Sequence, residues 1–458
     1  MSRRDEDKLS ASRRGFLATT AGLVAAAGAS IAAGAATEAC AETTALSTPN
    51  APGKNLTEPF WGPHQGGILT PAQSHSYFAA FDLIRTKRDD VARLLQTWTS
   101  AAARMTQGQT AQSLEDGLMP VAASGGGEAQ PKDYDAYEKP DWSAQAADSG
   151  EALDLPPARL TVTFGFGAGL FIKDGKDRYG LASRRPEALV DLPRFVGDQL
   201  VDARTGGDLS VQACADDPQV AFHAVRQLAR LAAEVTQVRW AQTGFIPSGK
   251  GTPRNLMGFR DGTNNPSIVD PTAMERFVWA GKEGPDWMRG GSYVVVRRIR
   301  IALEHWDRMQ VAFQEQTVGR YKYSGAPLGT RNEFDALDLN ATDQDDNPII
   351  AENAHVRLAA PDSNGGAQVL RRPYSYNDGV NFTAERWPPW RQGMEYDAGL
   401  FFVAYQRDPR TGFMRIYDRM AKLDMMNQFV THVGGGLFAC PRGAAPGEFI
   451  GQSLLETA

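Results

Sequence analysis

Two stretches of this chain read alike at an offset of 191 residues. "LSVQACADDPQVAF" begins at Leu209 and "LFFVAYQRDPRTGF" begins at Leu400. Leu209, Ala213, Asp217, Pro218 and Phe222 meet Leu400, Ala404, Asp408, Pro409 and Phe413. The shared Asp-Pro has a mechanical reason: Asp caps a helix N-terminus and Pro fits the first helical turn. The surrounding patterns repeat as well. In the first half, apolar alternation and helical spacing predict strand 76–84, helix 89–105, strands 159–167 and 208–215, helix 217–232 and strand 238–245. In the second half they predict strand 291–303, helix 304–320, strands 368–376 and 398–406, helix 408–423 and strand 434–441. Both halves spell β-α-β-β-α-β. The expected fold is therefore α+β, two ferredoxin-like domains in tandem.

Length agrees, since 458 residues exceed one typical hydrophobic core. The expected division is a signal segment 1–41, an arm 42–60, an N-terminal domain 61–250 and a C-terminal domain 251–458. Residues 110–157, rich in Gly, Ala, Asp and Pro, interrupt the first half as a surface excursion. A net charge of −6 and a pI near 5.7 argue against nucleic acid as a partner.

The N-terminus reads "SRRGFLATTAGLVAAAGASIAAGAATEACAE". Arg13 and Arg14 precede Phe-Leu, a weakly apolar Ala/Gly run and a small-x-small end at Ala39–Ala41, the parts of a twin-arginine export signal. That route carries already folded proteins, often with a cofactor inside. The expected location is the periplasm or the exterior, and cleavage after Ala41 removes Cys40. The remaining cysteines, Cys214 and Cys440, suit one disulfide or core packing.

Most chemical motifs are missing: P-loop, GxGxxG after a strand, HExxH, CxxCH and GxSxG. "GFGAG" at 165–169 lacks the lysine and spacing of a phosphate loop. Six histidines occur, at 64, 75, 223, 305, 355 and 432, and form no His/Cys cluster, so a zinc site has too few ligands. A single histidine suffices as an axial ligand to haem iron. His355 differs from the others in lying beside a short apolar run, "AHVRLAAP", just after the acidic loop 338–348. "VLRRPYSY" (369–376) puts Arg371 and Arg372 in one strand, so one must face inward and needs a partner: a salt bridge, or an anion or oxygen ligand. "NLMGFRDGTNNP" (255–266) has turn composition around a central acid, Asp261.

Together "GFRDGTNNP", "AHVRLAAP", "VLRRPYSY" and the closing "GGGLFACP" resemble the dye-decolourising peroxidases over about residues 60–445. The export signal suggests the exported deferrochelatase/peroxidase branch. The resemblance implies one haem b per chain, bound mainly by the C-terminal domain. It matches His355 to the proximal ligand, Asp261 to the distal acid and Arg371 to the distal arginine, with Gly262, Thr263 and Asn264 lining the haem. Asp424 is the candidate acid on the proximal histidine. Pro373 departs from the pattern, standing where some branches carry Asn. The implied activity is reduction of hydrogen peroxide with oxidation of organic electron donors such as dyes and phenols. The alternative is a deferrochelatase, which releases iron from haem and leaves the porphyrin intact. Implied partners are the twin-arginine export machinery, iron-uptake proteins and a second copy of the chain in a dimer.

Overall fold

The computed structural model of the chain describes residues 56–114, 146–247, 249, 251–384 and 392–456. The signal segment with Arg13, Arg14 and Cys40, most of the arm, and the centre of the 110–157 excursion lie outside the described residues. The last residues of the arm are not loose: Glu58 pairs with Arg159 at 2.8 Å and Phe60 is buried.

The first half runs β1 (His75–Leu83), α1 (Arg88–Met105), β2 (Thr161–Phe166), β3 (Leu209–Ala215), α2 (Pro218–Leu231) and β4 (Thr236–Phe245). Its strands pair antiparallel in the order β2-β3-β1-β4. A short helix, α3 (Pro271–Phe277), leads to the second half. There follow β5 (Ser292–Ile301), α4 (Leu303–Trp306), α5 (Val311–Val318), α6 (His355–Ala359), β6 (Leu370–Arg371), β7 (Tyr374–Ala384), β8 (Gln392–Gln406), α7 (Phe413–Leu423), β9 (Val430–Cys440) and α8 (Gln452–Leu455). Strand order here is β7-β8-β5-β9, the same ferredoxin-like arrangement. The repeat is structural: Leu209 pairs with Phe81 and Leu400 with Ile299, each joining the third strand of its half to the first.

The two sheets meet edge to edge. Phe166 pairs with Ala439 at one seam and Phe245 with Ser375 at the other, so eight strands close a ring and β6 adds a ninth along β8. Closure leaves no long open edge. The 165–169 glycines serve this seam. A Cβ on Gly165 would strike Ser210 and Phe438, and one on Gly167 would strike the Gly207 carbonyl. Inside the ring, Phe78 packs on Trp240, Phe401 and Phe438 at centroid distances of 5.1–5.8 Å. Outside the first sheet, α1 and α2 bury Trp98 against Phe81 and Phe164, and its indole N–H donates to the Leu228 carbonyl at 2.8 Å. Each such aromatic side chain contributes about 1.5–3 kcal/mol of burial.

Three expected elements differ. Helix 304–320 is two short pieces, α4 and α5. Strand 368–376 breaks at Arg372-Pro373 into β6 and β7, because proline has no N–H for the ladder. Asp217 caps α2 as expected, accepting from the Gln219 and Val220 N–H groups. Its counterpart Asp408 accepts from the Arg410 N–H in a tight turn instead, and α7 starts only at Phe413. Cys214 and Cys440 are buried free thiols. No described helix is long and apolar enough to cross a membrane.

Candidate active site

The loop holding Asp261 is braced by its own backbone. Asn255 accepts from the Met257 and Phe259 N–H groups through its side chain, and its own N–H donates to the Phe259 carbonyl. Gly258, at φ +87°, makes the reversal, a left-handed conformation that favours glycine. The Asp261 N–H donates to the Pro253 carbonyl at 2.9 Å. Its carboxylate therefore projects from a rigid turn and accepts from Arg371 Nη1 at 3.0 Å. Arg371 comes from β6, 110 residues later. Asn265 clamps that backbone, donating to the Arg371 carbonyl at 2.8 Å and accepting from its N–H at 3.2 Å. Arg372 points the other way, as strand alternation requires, and its buried guanidinium donates to Thr70 and Gln73.

His355 opens α6 and lies 2.7 Å, through Nδ1, from Asp424 Oδ2. Asp424, only 3% exposed, is held in turn by the Met426 N–H on Oδ1 at 2.8 Å. Burial works against a charged imidazole, but the Asp424 carboxylate outweighs it and raises the His355 pKa above its ordinary value. Nδ1–H donation to the carboxylate leaves Nε2 as the ring's lone-pair nitrogen, an arrangement common to metal-ligating histidines. Nε2 has no hydrogen-bond partner among the described residues.

Asp261, Arg371, His355 and Asp424 line one cavity. Its walls are apolar: Ile299 and Ile301 of β5, Leu400 and Phe402 of β8, Val430 of β9, and Phe413, Ile416 and Met420 of α7. It offers about 240 Å³ to the centres of water-sized spheres. One water needs about 10–15 Å³, so the space suits a group far larger than water. Arg260, Arg320 and Arg371 supply positive charge along its lining. Burial and the nearby Arg371 hold the Arg320 pKa below its usual range. One available imidazole nitrogen, apolar walls and cationic groups for carboxylates fit a haem. They do not fit a closed zinc site, which needs four ligands.

Gly262, Thr263 and Asn264 line the same cavity, and Thr263 donates to Glu333 at 2.9 Å. Two contributors were missed by sequence reasoning. Asn265, not its neighbour Asn264, secures Arg371. His432 also lines the cavity, stacked on Tyr417 at 4.6 Å, and burial beside Arg297 lowers its pKa to about 3. Nothing local distinguishes one asparagine of "TNN" from the next. The remaining histidines stand elsewhere. His64 stacks on Trp279, His305 packs near Phe429, and His223 sits between Asp148 and Glu151 at 3.4 and 3.2 Å.

Two ferredoxin-like units, the second of which encloses such a cavity with an imidazole–carboxylate couple and a carboxylate–arginine couple in its lining, define a haem oxidoreductase. Comparison with known proteins gives the family. Residues 65–246 match the family model described as "Dyp-type peroxidase, N-terminal" and residues 252–445 match "Dyp-type peroxidase, C-terminal". The dye-decolorizing peroxidase of Thermobifida fusca is 36% identical, with all of both chains covered. A deferrochelatase of Escherichia coli is 34% identical over 90% of this chain and 92% of that protein. Ferric DtpA from Streptomyces lividans superposes with a TM-score of 0.75 at 38% identity, covering 90% of this chain and all of that one. A DyP-type peroxidase from Cellulomonas bogoriensis gives 0.73 at 37% identity, covering 89% and 100%. The chain belongs to the Dyp-type peroxidase family. It is a haem b enzyme that reduces hydrogen peroxide while oxidising organic donors.

Proposed function

We propose that His355 and Asp424 hold the haem and that Asp261 and Arg371 activate peroxide. A haem held there would supply the redox-active iron at which hydrogen peroxide is reduced to water at the expense of the organic donor. His355 would hold that iron through Nε2, and Asp424 would fix the ring's tautomer and increase its electron donation. Asp261, as carboxylate, would accept a proton from one oxygen of hydrogen peroxide and return it to the other. Arg371 would stabilise the negative charge that develops on oxygen as the peroxide bond breaks. Asn265 keeps that guanidinium in place by gripping its backbone.

The observation that supports this reading is the sharing of one apolar cavity by two couples, Asp261–Arg371 at 3.0 Å and His355–Asp424 at 2.7 Å. A visible spectrum before and after peroxide, followed by dye addition, tests it. The expected outcome is a haem band that responds to peroxide and is restored by the dye. The deferrochelatase relatives support a second reading. Free iron with intact porphyrin, and no dye oxidation, would give that reading precedence.

The chain is exported folded, by the twin-arginine machinery, to the periplasm or beyond. Changing Arg13 and Arg14 to Lys traps active, haem-loaded protein in the cytoplasm; unchanged export overturns the assignment. In its exported setting the enzyme works as a homodimer beside iron-uptake proteins. Sedimentation of the holoenzyme as a monomer at micromolar concentration removes the dimer.

A further inference from the structure

A second pocket adjoins the haem cavity. It is lined by Arg276, Phe277, Arg407 and Arg415 around the Gly365–Gly366 turn, and it shares Ala367 and Gln368 with the cavity wall. Both turn glycines adopt left-handed backbone, at φ +62° and +82°. A side chain at Gly365 would also crowd the pocket. A Cβ on Gly365 would strike Arg415 Nη2, and one on Gly366 would sit 3.6 Å from Arg276 Nη2. The bare turn thus lets guanidinium groups from α3 and α7 converge on adjacent residues.

The charges in this pocket are unevenly matched. Arg407 is neutralised by a two-pronged pair with Glu283 at 2.7 and 2.8 Å, and Asp408 by Arg410 at 2.7 Å. Arg276 and Arg415 have no carboxylate partner among the described residues. Arg276 instead lies over the Phe277 ring, 4.9 Å from its centroid. Two unmatched guanidinium groups beside an aromatic face, in a chain of net charge −6, suit a flat organic anion.

We infer that Arg276 and Arg415 form a binding subsite for the carboxylate or sulfonate of an organic anion, opening onto the haem cavity through the Ala367–Gln368 wall. Its use for an electron donor rests on the peroxidase reading; the binding itself does not. The anionic group has two sources: a separate aromatic donor, or the cofactor's own carboxylates. Because arginine stays charged, binding is flat with pH across the working range and weakens as salt rises.

The test uses the haem-loaded full chain without peroxide. Anthraquinone-2-sulfonate is titrated by calorimetry into the parent and into Arg276→Gln and Arg415→Gln, with a neutral anthraquinone alcohol as control. Both side chains are exposed, so the variants retain the fold, checked by melting. Loss of one charge-assisted contact is expected to weaken sulfonate binding by about tenfold or more, with the neutral control and peroxide oxidation of a neutral phenol unchanged. A parallel arm measures haem transfer to apomyoglobin. Faster haem loss in the variants, with sulfonate binding unaltered, assigns the subsite to the cofactor's carboxylates. If neither sulfonate affinity nor haem loss changes, the subsite does not exist. Failure of the parent to oxidise any donor would instead strike the peroxidase reading, leaving the binding result intact.

Discussion

The two halves of the molecule share a topology and differ in what covers the outer face of each sheet. In the first, α1 and α2 lie flat on it. Val91, Leu94, Leu95 and Trp98 meet Phe81, Val162 and Phe164, all at most 3% exposed. In the second, the helix after β5 is cut into α4 and α5. The chain then detours through residues 319–369 before β6. Ile299, Ile301, Leu400, Phe402 and Val430, which would be core in the first half, face the cavity instead. One repeat unit can therefore make either a filled core or a cofactor chamber. The choice depends on whether a continuous helix is laid against the sheet. The detour also delivers His355, so the segment that uncovers the sheet brings the residue proposed to hold what fills the gap.

The sharpest way to break this contrast is to empty the chamber. His355→Ala is expected to abolish stable haem binding, read as loss of the Soret band after desalting, while far-ultraviolet dichroism stays at parent values. Full occupancy with unchanged axial spectroscopy would remove His355 as ligand. Next come the residues proposed to give the chamber its chemistry. Asp261→Asn should slow the peroxide-induced spectral change about 10²–10⁴-fold with haem still bound. Arg371→Leu should slow it by at least about 10²-fold. Parent rates in both, by stopped flow, would return the Asp261 loop to a purely structural role.

Cutting one large aromatic side chain in each half tests the contrast in stability. Trp98→Ala in the filled half is expected to cost about 3–5 kcal/mol in denaturant unfolding of the haem-free chain. Phe402→Ala, on the cavity wall, should cost only about 1–2 kcal/mol, because part of its surface is already unpacked. Equal losses would mean the chamber is not hollow. Asp424→Asn should weaken haem affinity about 10–100-fold, measured by competition with apomyoglobin.

The smallest effect is a pH dependence. Burial and Arg297 lower the folded pKa of His432 to about 3. Unfolded, the ring protonates near its ordinary value of about 6.5. Between those values only the unfolded state takes up the proton, so His432 makes stability fall as pH falls through that window. About one unit below 6.5 the loss is ~1.4 kcal/mol. His432→Gln should flatten this part of the melting-temperature profile. An identical acid slope in parent and variant would show that the folded ring does protonate.

Much of the fold was legible beforehand because its determinants are local. Short apolar runs mark β1, β3 and β8, and Asp217-Pro218 caps α2 within three residues of itself. Strand alternation required Arg371 and Arg372 to face opposite ways, and they do. The site motifs were visible as the four stretches that carry the family resemblance. Where local order depends on packing, the expectations failed: the same Asp-Pro caps α2 but only turns the chain before α7.

By itself, then, the sequence determined the repeated β-α-β-β-α-β order, the family motifs and the residue types available for chemistry, since these depend on neighbours a few positions apart. Tertiary structure alone decided that Asp261 meets Arg371 across 110 residues and that His355 meets Asp424 across 69. It also decided that Asn265 rather than Asn264 holds the arginine, that the sheets close into a ring and that one outer face stays open. Those outcomes depend on strand register and on which surfaces press together, and no local preference encodes a distance between residues so far apart in the chain.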